Sequence, residues 1–111
     1  MTVHQVTQND TEVTAAAGDE IVVRVPENSG TGYRWAVTSV GRGLEVLEEF
    51  FTPPAALPGG GAPRPGPPTG ERAVRLRVLP DSRAPSELLL QYRRPWEASP
   101  ARAFTLRVVP G

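Results

Sequence analysis

The sequence predicts an all-β protein, an antiparallel β-sandwich of seven to eight strands. Apolar residues alternate with polar ones at a period of two along most of the chain. Turn-forming residues interrupt this alternation at short intervals, as they do between the strands of a sandwich. The length of 111 residues suits one domain spanning 1–111. A chain of this size can bury enough apolar surface to fold without disulfides, and it contains no cysteine.

The strands follow from the alternation. Residues 74–78 give the cleanest half-buried pattern, with valine and leucine separated by arginine. Residues 44–51 also contain apolar pairs at i,i+4, but eight residues without a clear cap support a helix weakly, so we predict a strand there. In chain order the predicted strands are 3–7, 11–15, 21–25, 33–38, 46–52, 74–78, 88–92 and 104–108.

The two tryptophans carry different predictions. Trp35 alternates with Tyr33 and Val37 on one face of a strand, so we expect it in the core. Trp96 follows Pro95 at a point where the alternation has stopped, and proline stiffens the chain around it. A rigidly held Trp beside Arg94 is typical of a protein-binding hot spot. The alternative is that Trp96 closes one end of the core, where large aromatics usually lie.

Residues 53–70 differ in composition from the rest of the chain. Proline and glycine dominate the segment, which therefore cannot form a strand or a helix. Because it lies between two predicted strands, we interpret it as a long functional or mobile loop.

The residues needed for catalysis are missing. His4 is the sole histidine and lies in a predicted edge strand, and a lone exposed histidine is more often incidental than catalytic, since general-base catalysis needs a positioned partner. Glu48 and Glu49 are adjacent, so on a strand they face opposite ways. The glycines at 59–61 lack the Lys and Ser/Thr of a phosphate-binding loop. We therefore predict no catalytic residue, no metal site and no cofactor, and expect that loops on a rigid scaffold bind a partner.

Charge and hydropathy exclude two kinds of partner. Formal net charge is zero, with 12 acidic and 12 basic residues, which argues against nucleic acid. No apolar run approaches the roughly 20 residues that span a bilayer, so we expect no membrane. The first residues do not resemble a signal peptide, which predicts a cytoplasmic protein unless a leader has been removed, in which case it is secreted or periplasmic.

Two motifs resemble those of the chagasin-type inhibitors of cysteine peptidases. The first is Asn28-Ser29-Gly30-Thr31-Gly32-Tyr33-Arg34-Trp35, where the family has Asn-Pro-Thr-Thr-Gly-Tyr/Phe-x-Trp. The second is Tyr92-Arg93-Arg94-Pro95-Trp96, where the family has Tyr-x-Arg-Pro-Trp. Their order and approximate spacing match the family, and the resemblance covers essentially the whole chain.

The resemblance implies an immunoglobulin-like sandwich that acts as a reversible, monomeric inhibitor of papain-like cysteine peptidases. It implies that three loops bind the peptidase and that the middle one enters the active-site cleft. The implied contact residues are Asn28, Ser29, Gly30, Thr31, Gly32, Tyr33, Gly70, Arg93, Arg94, Pro95 and Trp96. The alternative from another class is an immunoglobulin-like binding or adhesion module that inhibits nothing.

The chain departs from the family pattern in two of the three loops. Ser29 and Gly30 stand where the family has Pro and Thr, which removes one hydroxyl and one conformational restriction. The family's Gly-x-Gly-Gly loop has two candidate counterparts, 59–61 and 67–70, within an expanded segment. We expect either departure to lower affinity or to alter which peptidase is preferred.

Overall fold

The computed structural model describes residues 1–28, 31–53, 70–80 and 84–111. Within these ranges the regular elements are strands, as the alternation predicts, and the segment with i,i+4 pairs is a strand too. The elements are β1 (Val3–Val6), β2 (Thr11–Ala15), β3 (Glu20–Glu27), β4 (Arg34–Val40), β5 (Leu44–Thr52), β6 (Gly70–Val78), β7 (Ser86–Arg93) and β8 (Arg102–Pro110).

The strands form two four-stranded sheets that pack face to face. Sheet 1 has the order β1-β3-β6-β5, and sheet 2 has the order β2-β8-β7-β4. The all-β architecture and the strand number of the sandwich are confirmed. The expectation of purely antiparallel pairing is wrong at two edges, because β1 pairs with β3 and β2 pairs with β8 in parallel.

The parallel edges follow from the order of the strands. The chain reverses direction at each connection, so strands an even number of positions apart run the same way. The chain crosses from β1 in sheet 1 to β2 in sheet 2 and back to β3, which leaves β1 and β3 side by side in one direction. Sequence alternation reports which face of a strand is buried, and it does not report the strand's neighbours.

Alternate residues of both sheets fill the core. Trp35 is only 8% exposed, which confirms its predicted burial. The fully buried side chains are mostly branched aliphatic residues, as expected where two pleated sheets interdigitate. They include Ile21, Val23, Val74, Leu76, Val78, Leu88, Leu90 and Leu106.

The three connections that carry or adjoin predicted contact residues leave the sandwich at one end, which we call the loop end, and the β1–β2 connection leaves at the same end. The last residue of β3, Glu27, pairs with the first residue of β6, Gly70. In sheet 2, the first residue of β4, Arg34, pairs with the last residue of β7, Arg93. Consequently the β3–β4, β5–β6 and β7–β8 connections all begin and end there.

Candidate functional site

The central loop, residues 28–33, connects β3 to β4. The backbone N–H and the hydroxyl of Thr31 both donate to the carbonyl oxygen of Asn28, at 3.3 and 2.8 Å. The next residue, Gly32, has a φ of 82°, a left-handed conformation that glycine adopts at little cost. These bonds close the turn. Ser29 and Gly30 lie outside the described residues.

A buried carboxylate ties together the two ends of the central loop. Glu27, just before the loop, is 1% exposed. Its Oε1 accepts the backbone N–H of Trp35, just after the loop, at 2.7 Å. Arg72 on β6 donates to both oxygens of the same carboxylate, at 3.2 and 2.8 Å. One ion pair therefore fixes the base of the central loop to the start of β6.

Sequence reasoning missed this pair, although a signal was present. Glu27 continues the buried alternation of Ile21, Val23 and Val25, and it therefore points into the sandwich. Arg72 has the same relation to the buried Val74 on β6. A charge in the inward register of a strand costs free energy unless it is paired, so each of these two charges predicts a partner of opposite sign without identifying it.

Tyr92, at the end of β7, connects the central loop to sheet 2. Its ring stacks on Tyr33 at 5.2 Å and on Trp35 at 4.9 Å between ring centroids. Its hydroxyl accepts the backbone N–H of Asn28 at 3.2 Å. The aromatic column continues inward to Phe104, which meets Trp35 edge to face. The central loop thus rests on packed aromatic rings, a favourable arrangement.

The tryptophan loop, residues 94–101, lies beside the central loop. Nε of Arg94 donates to the carbonyl oxygen of Thr31 at 3.1 Å. The guanidinium of Arg94 also lies 4.5 Å from the ring centroid of Tyr33 and 5.8 Å from that of Trp96, within the range of cation–π attraction. The loop is closed at its base by the N–H of Ala101, which donates to the carbonyl of Tyr92.

Trp96 is 73% exposed, which excludes the alternative that it closes the core. A β-carbon on Gly32 would lie 3.6 Å from Cη2 of Trp96, so the indole projects beside the central turn. We call the surface formed by Thr31, Gly32, Tyr33, Arg94 and Trp96 the composite tip. Two further predicted contact residues, Pro95 in this loop and Arg93 at the end of β7, are also exposed.

Gly70 has a structural reason to be glycine. It is buried, and a β-carbon there would lie 2.5 Å from both Cζ of Phe51 and the carbonyl oxygen of Thr52. The start of β6 is therefore pressed against the end of β5 where the third loop returns to the sheet. Both candidate counterparts of the Gly-x-Gly-Gly loop, apart from Gly70 itself, lie outside the described residues.

Among the described residues, no group of three His, Asp or Glu side chains is placed to hold a metal ion. His4 lies in edge strand β1, and its Nε2 donates to the Asp19 carboxylate at 3.1 Å. That bond, with the backbone N–H groups of Thr2 and Ala16, lowers the pKa of Asp19 from 3.8 to about 2.

In the part of the chain that is described, no helix is long and apolar enough to cross a membrane.

The fold and its composite tip define a β-sandwich that holds several loops at one end, an architecture that antibody domains share. Residues 14–108 match the model of the chagasin family of peptidase inhibitors, I42. The chain belongs to this family. Its members are inhibitors and not enzymes, in agreement with the prediction from the missing catalytic residues.

Solved structures with the same fold include named inhibitors. The cysteine protease inhibitor EhICP2 from Entamoeba histolytica is 22% identical, with a TM-score of 0.78 over 99% of this chain and 96% of the other. Amebosin is 27% identical, with a TM-score of 0.73 over 97% of each chain. PbICP-C, solved in complex with falcipain-2, is 16% identical, with a TM-score of 0.53 over 98% of this chain and 89% of its own. No curated protein matches the sequence.

Proposed function

We propose that this protein is a reversible, tight-binding inhibitor of papain-like cysteine peptidases that blocks the active-site cleft with three loops. Family membership supports inhibition of a peptidase. The likeness of its fold to a named cysteine protease inhibitor, and to an inhibitor solved with falcipain-2, supports the class of target. We further propose that residues 1–111 act as one domain and as a monomer.

The observation that carries this proposal is the composite tip. Arg94 is bonded to Thr31, and Trp96 stands exposed beside Gly32. Two loops that are far apart in sequence therefore present one preformed surface. A preformed surface loses less conformational entropy on binding, which favours high affinity from an interface of ordinary size. Such an interface buries about 1,600 Å² in total.

Each loop has a distinct role in the proposed complex. The central loop enters the cleft, because Gly32 has no side chain and lets the backbone approach the peptidase closely. Thr31 then lies near the catalytic cysteine and histidine of the peptidase. The tryptophan loop packs on one side of the cleft, and the third loop, which returns at Gly70, packs on the other. No residue of the inhibitor reacts, so inhibition is reversible.

An inhibition assay tests the proposal. Papain and cathepsin L are titrated with the protein, and trypsin serves as a control with a different nucleophile. We expect stoichiometric loss of papain-like activity, recovery on dilution, and no effect on trypsin. A non-inhibitory adhesion module would leave all three peptidases fully active. If the central loop enters the cleft, covalent blockage of the peptidase's active-site cysteine by a bulky peptide reagent should also abolish binding.

A further inference from the structure

The arginines of this protein fall into two groups. Most of the described arginines lie within 4 Å of a carboxylate. These pairs are Arg24–Glu71, Arg72–Glu27, Arg75–Glu20, Arg77–Glu45, Arg94–Glu97 and Arg107–Glu12. The described arginines without an ion pair or side-chain hydrogen bond to another described residue are Arg34, Arg42, Arg93 and Arg102.

Two of the unpaired arginines lie together at the loop end of sheet 2. Arg34 and Arg93 are direct cross-strand partners on β4 and β7, so their side chains project from the same face. Arg102, which begins β8, pairs with Tyr92 and therefore projects from the other face of the sheet. Arg34 and Arg93 are both exposed. We call Arg34 and Arg93 the arginine patch.

The arginine patch borders the composite tip. Arg34 follows Tyr33, whose ring lies under the guanidinium of Arg94. Arg93 immediately precedes Arg94, which is bonded to Thr31. Any protein that covers Trp96 and the central loop therefore comes within reach of the patch.

The placement of Arg34 opposite Arg93 is unfavourable in the isolated protein. Like charges directly across an antiparallel pair destabilise it, and among the described residues neither Arg34 nor Arg93 has a carboxylate within 4 Å. The protein carries equal numbers of acidic and basic residues, so an excess of positive charge here is a local arrangement and not a consequence of composition. An acidic surface brought against the patch would remove the repulsion.

We propose that the arginine patch contacts an acidic rim beside the active-site cleft of the target peptidase and selects for targets that have one. This inference rests on the proposed function. Arginine suits the role, because its planar guanidinium pairs with carboxylates through two parallel hydrogen bonds. Charges at the rim of an interface act mainly by accelerating association, in a manner that salt suppresses.

Charge-neutral variants test the inference. Arg34→Gln and Arg93→Gln each remove one charge from the patch. Arg42→Gln is the matched control, because Arg42 is also exposed and unpaired but lies in the β4–β5 turn, away from the loop end. Association rates are measured from the onset of inhibition at several salt concentrations. The probe is whichever of papain and cathepsin L the wild-type protein inhibits more strongly.

We expect Arg34→Gln and Arg93→Gln to slow association at low salt by roughly threefold each, with a flatter dependence on salt than the wild type. Arg42→Gln should associate at the wild-type rate. The melting temperatures of the two patch variants should equal or slightly exceed that of the wild type, because a like-charge contact is removed. If these arginines served only to stabilise the fold, the two substitutions would instead lower the melting temperature.

Two results would overturn the inference while leaving the proposed function standing. One is that the wild type inhibits the peptidase and both patch variants associate with it at the wild-type rate and with the wild-type salt dependence. The other is an equal loss in Arg42→Gln, which would indicate a general effect of net charge. Absence of inhibition by the wild-type protein would instead refute the proposed function itself, and this inference with it.

Discussion

Arg94 and Thr31 are 63 positions apart in the sequence, and Nε of Arg94 donates a hydrogen bond to the carbonyl oxygen of Thr31 at 3.1 Å. The same guanidinium lies over Tyr33 on one loop and beside Trp96 on the other. The central loop and the tryptophan loop are therefore coupled through one side chain. Substitutions in either loop can then be read as effects on one surface, the composite tip.

Removal of the exposed indole should weaken binding without affecting folding. Trp96→Ala is expected to raise the inhibition constant, with a loss of about 2–4 kcal/mol of binding free energy, as is usual at a hot-spot tryptophan. Because Trp96 is 73% exposed, the melting temperature should stay close to that of the wild type. Trp96→Phe, which keeps an aromatic ring, should recover part of the loss. Inhibition by Trp96→Ala at wild-type potency would remove Trp96 from the interface.

Gly32 tests the conformation of the central loop. Gly32→Val forces a β-branched residue to a φ of 82°, at a cost of roughly 1–2 kcal/mol or a rearranged turn. The cost comes from the backbone, because a β-carbon there would make ordinary contacts of 3.6 and 3.9 Å. We expect inhibition to weaken by about tenfold or more, corresponding to at least about 1.4 kcal/mol.

Gly18→Val is the matched control for Gly32→Val. Gly18 has a φ of 86°, and a β-carbon added there would meet nothing within 4 Å. It precedes β3, at the end of that strand away from the loop end. Both variants should lose similar stability in urea unfolding, but only Gly32→Val should lose inhibition. Equal inhibition by the two variants would contradict the proposed role of the central loop.

Glu27 should matter for both stability and binding. Glu27→Gln leaves Arg72 without its carboxylate at the base of the central loop, which should cost about 3 kcal/mol of unfolding free energy. The double variant Glu27→Gln, Arg72→Gln should recover part of this cost, because no uncompensated charge remains. Urea unfolding measures each value, and an inhibition assay reports whether the central loop keeps its orientation.

Glu45→Gln serves as the control for a broken ion pair. Its partner Arg77 lies at 3.2 Å, but both side chains are close to half exposed. Exposed pairs of this kind contribute less than about 1 kcal/mol, so Glu45→Gln should be nearly neutral. If Glu27→Gln and Glu45→Gln lost similar amounts of unfolding free energy, burial of Glu27 would not strengthen its ion pair.

Acid should destabilise the protein through Asp19. The folded pKa of about 2 lies below the ordinary 3.8, because the carboxylate accepts hydrogen bonds from His4, Thr2 and Ala16. The stability this gives is complete above the unfolded pKa and is lost as pH falls through the folded pKa. The difference in unfolding free energy between the wild type and Asp19→Asn should therefore shrink between about pH 4 and pH 2.

Chemical unfolding at several pH values checks this expectation. Asp10→Asn is a suitable control, because Asp10 is exposed and adopts a positive φ that asparagine tolerates. Its unfolding free energy should follow the wild type through the same range. If the difference in unfolding free energy between Asp19→Asn and the wild type stayed constant down to pH 2, protonation of Asp19 would not be coupled to unfolding.

The sequence by itself determined the strands, the burial of Trp35 and the positions of the connecting segments. These features depend on local properties: the alternation of apolar residues, the restrictions of proline, and the freedom of glycine. The resemblance to the family was also visible in the sequence, because each of the short motifs that carry it is a local feature at one loop. The local pattern around Trp96 allowed either burial or exposure, and its fractional exposure in the folded protein decided between them.

Tertiary structure alone decided which strands became neighbours and which charges met. Alternation gives the buried face of a strand but no information about register, so it could not pair Glu27 with Arg72 or place Arg34 opposite Arg93. The parallel edges arose from the path of the chain between sheets, and the bond from Arg94 to Thr31 from the meeting of two distant loops. These relationships depend on packing between segments far apart in the chain, and no local pattern encodes them.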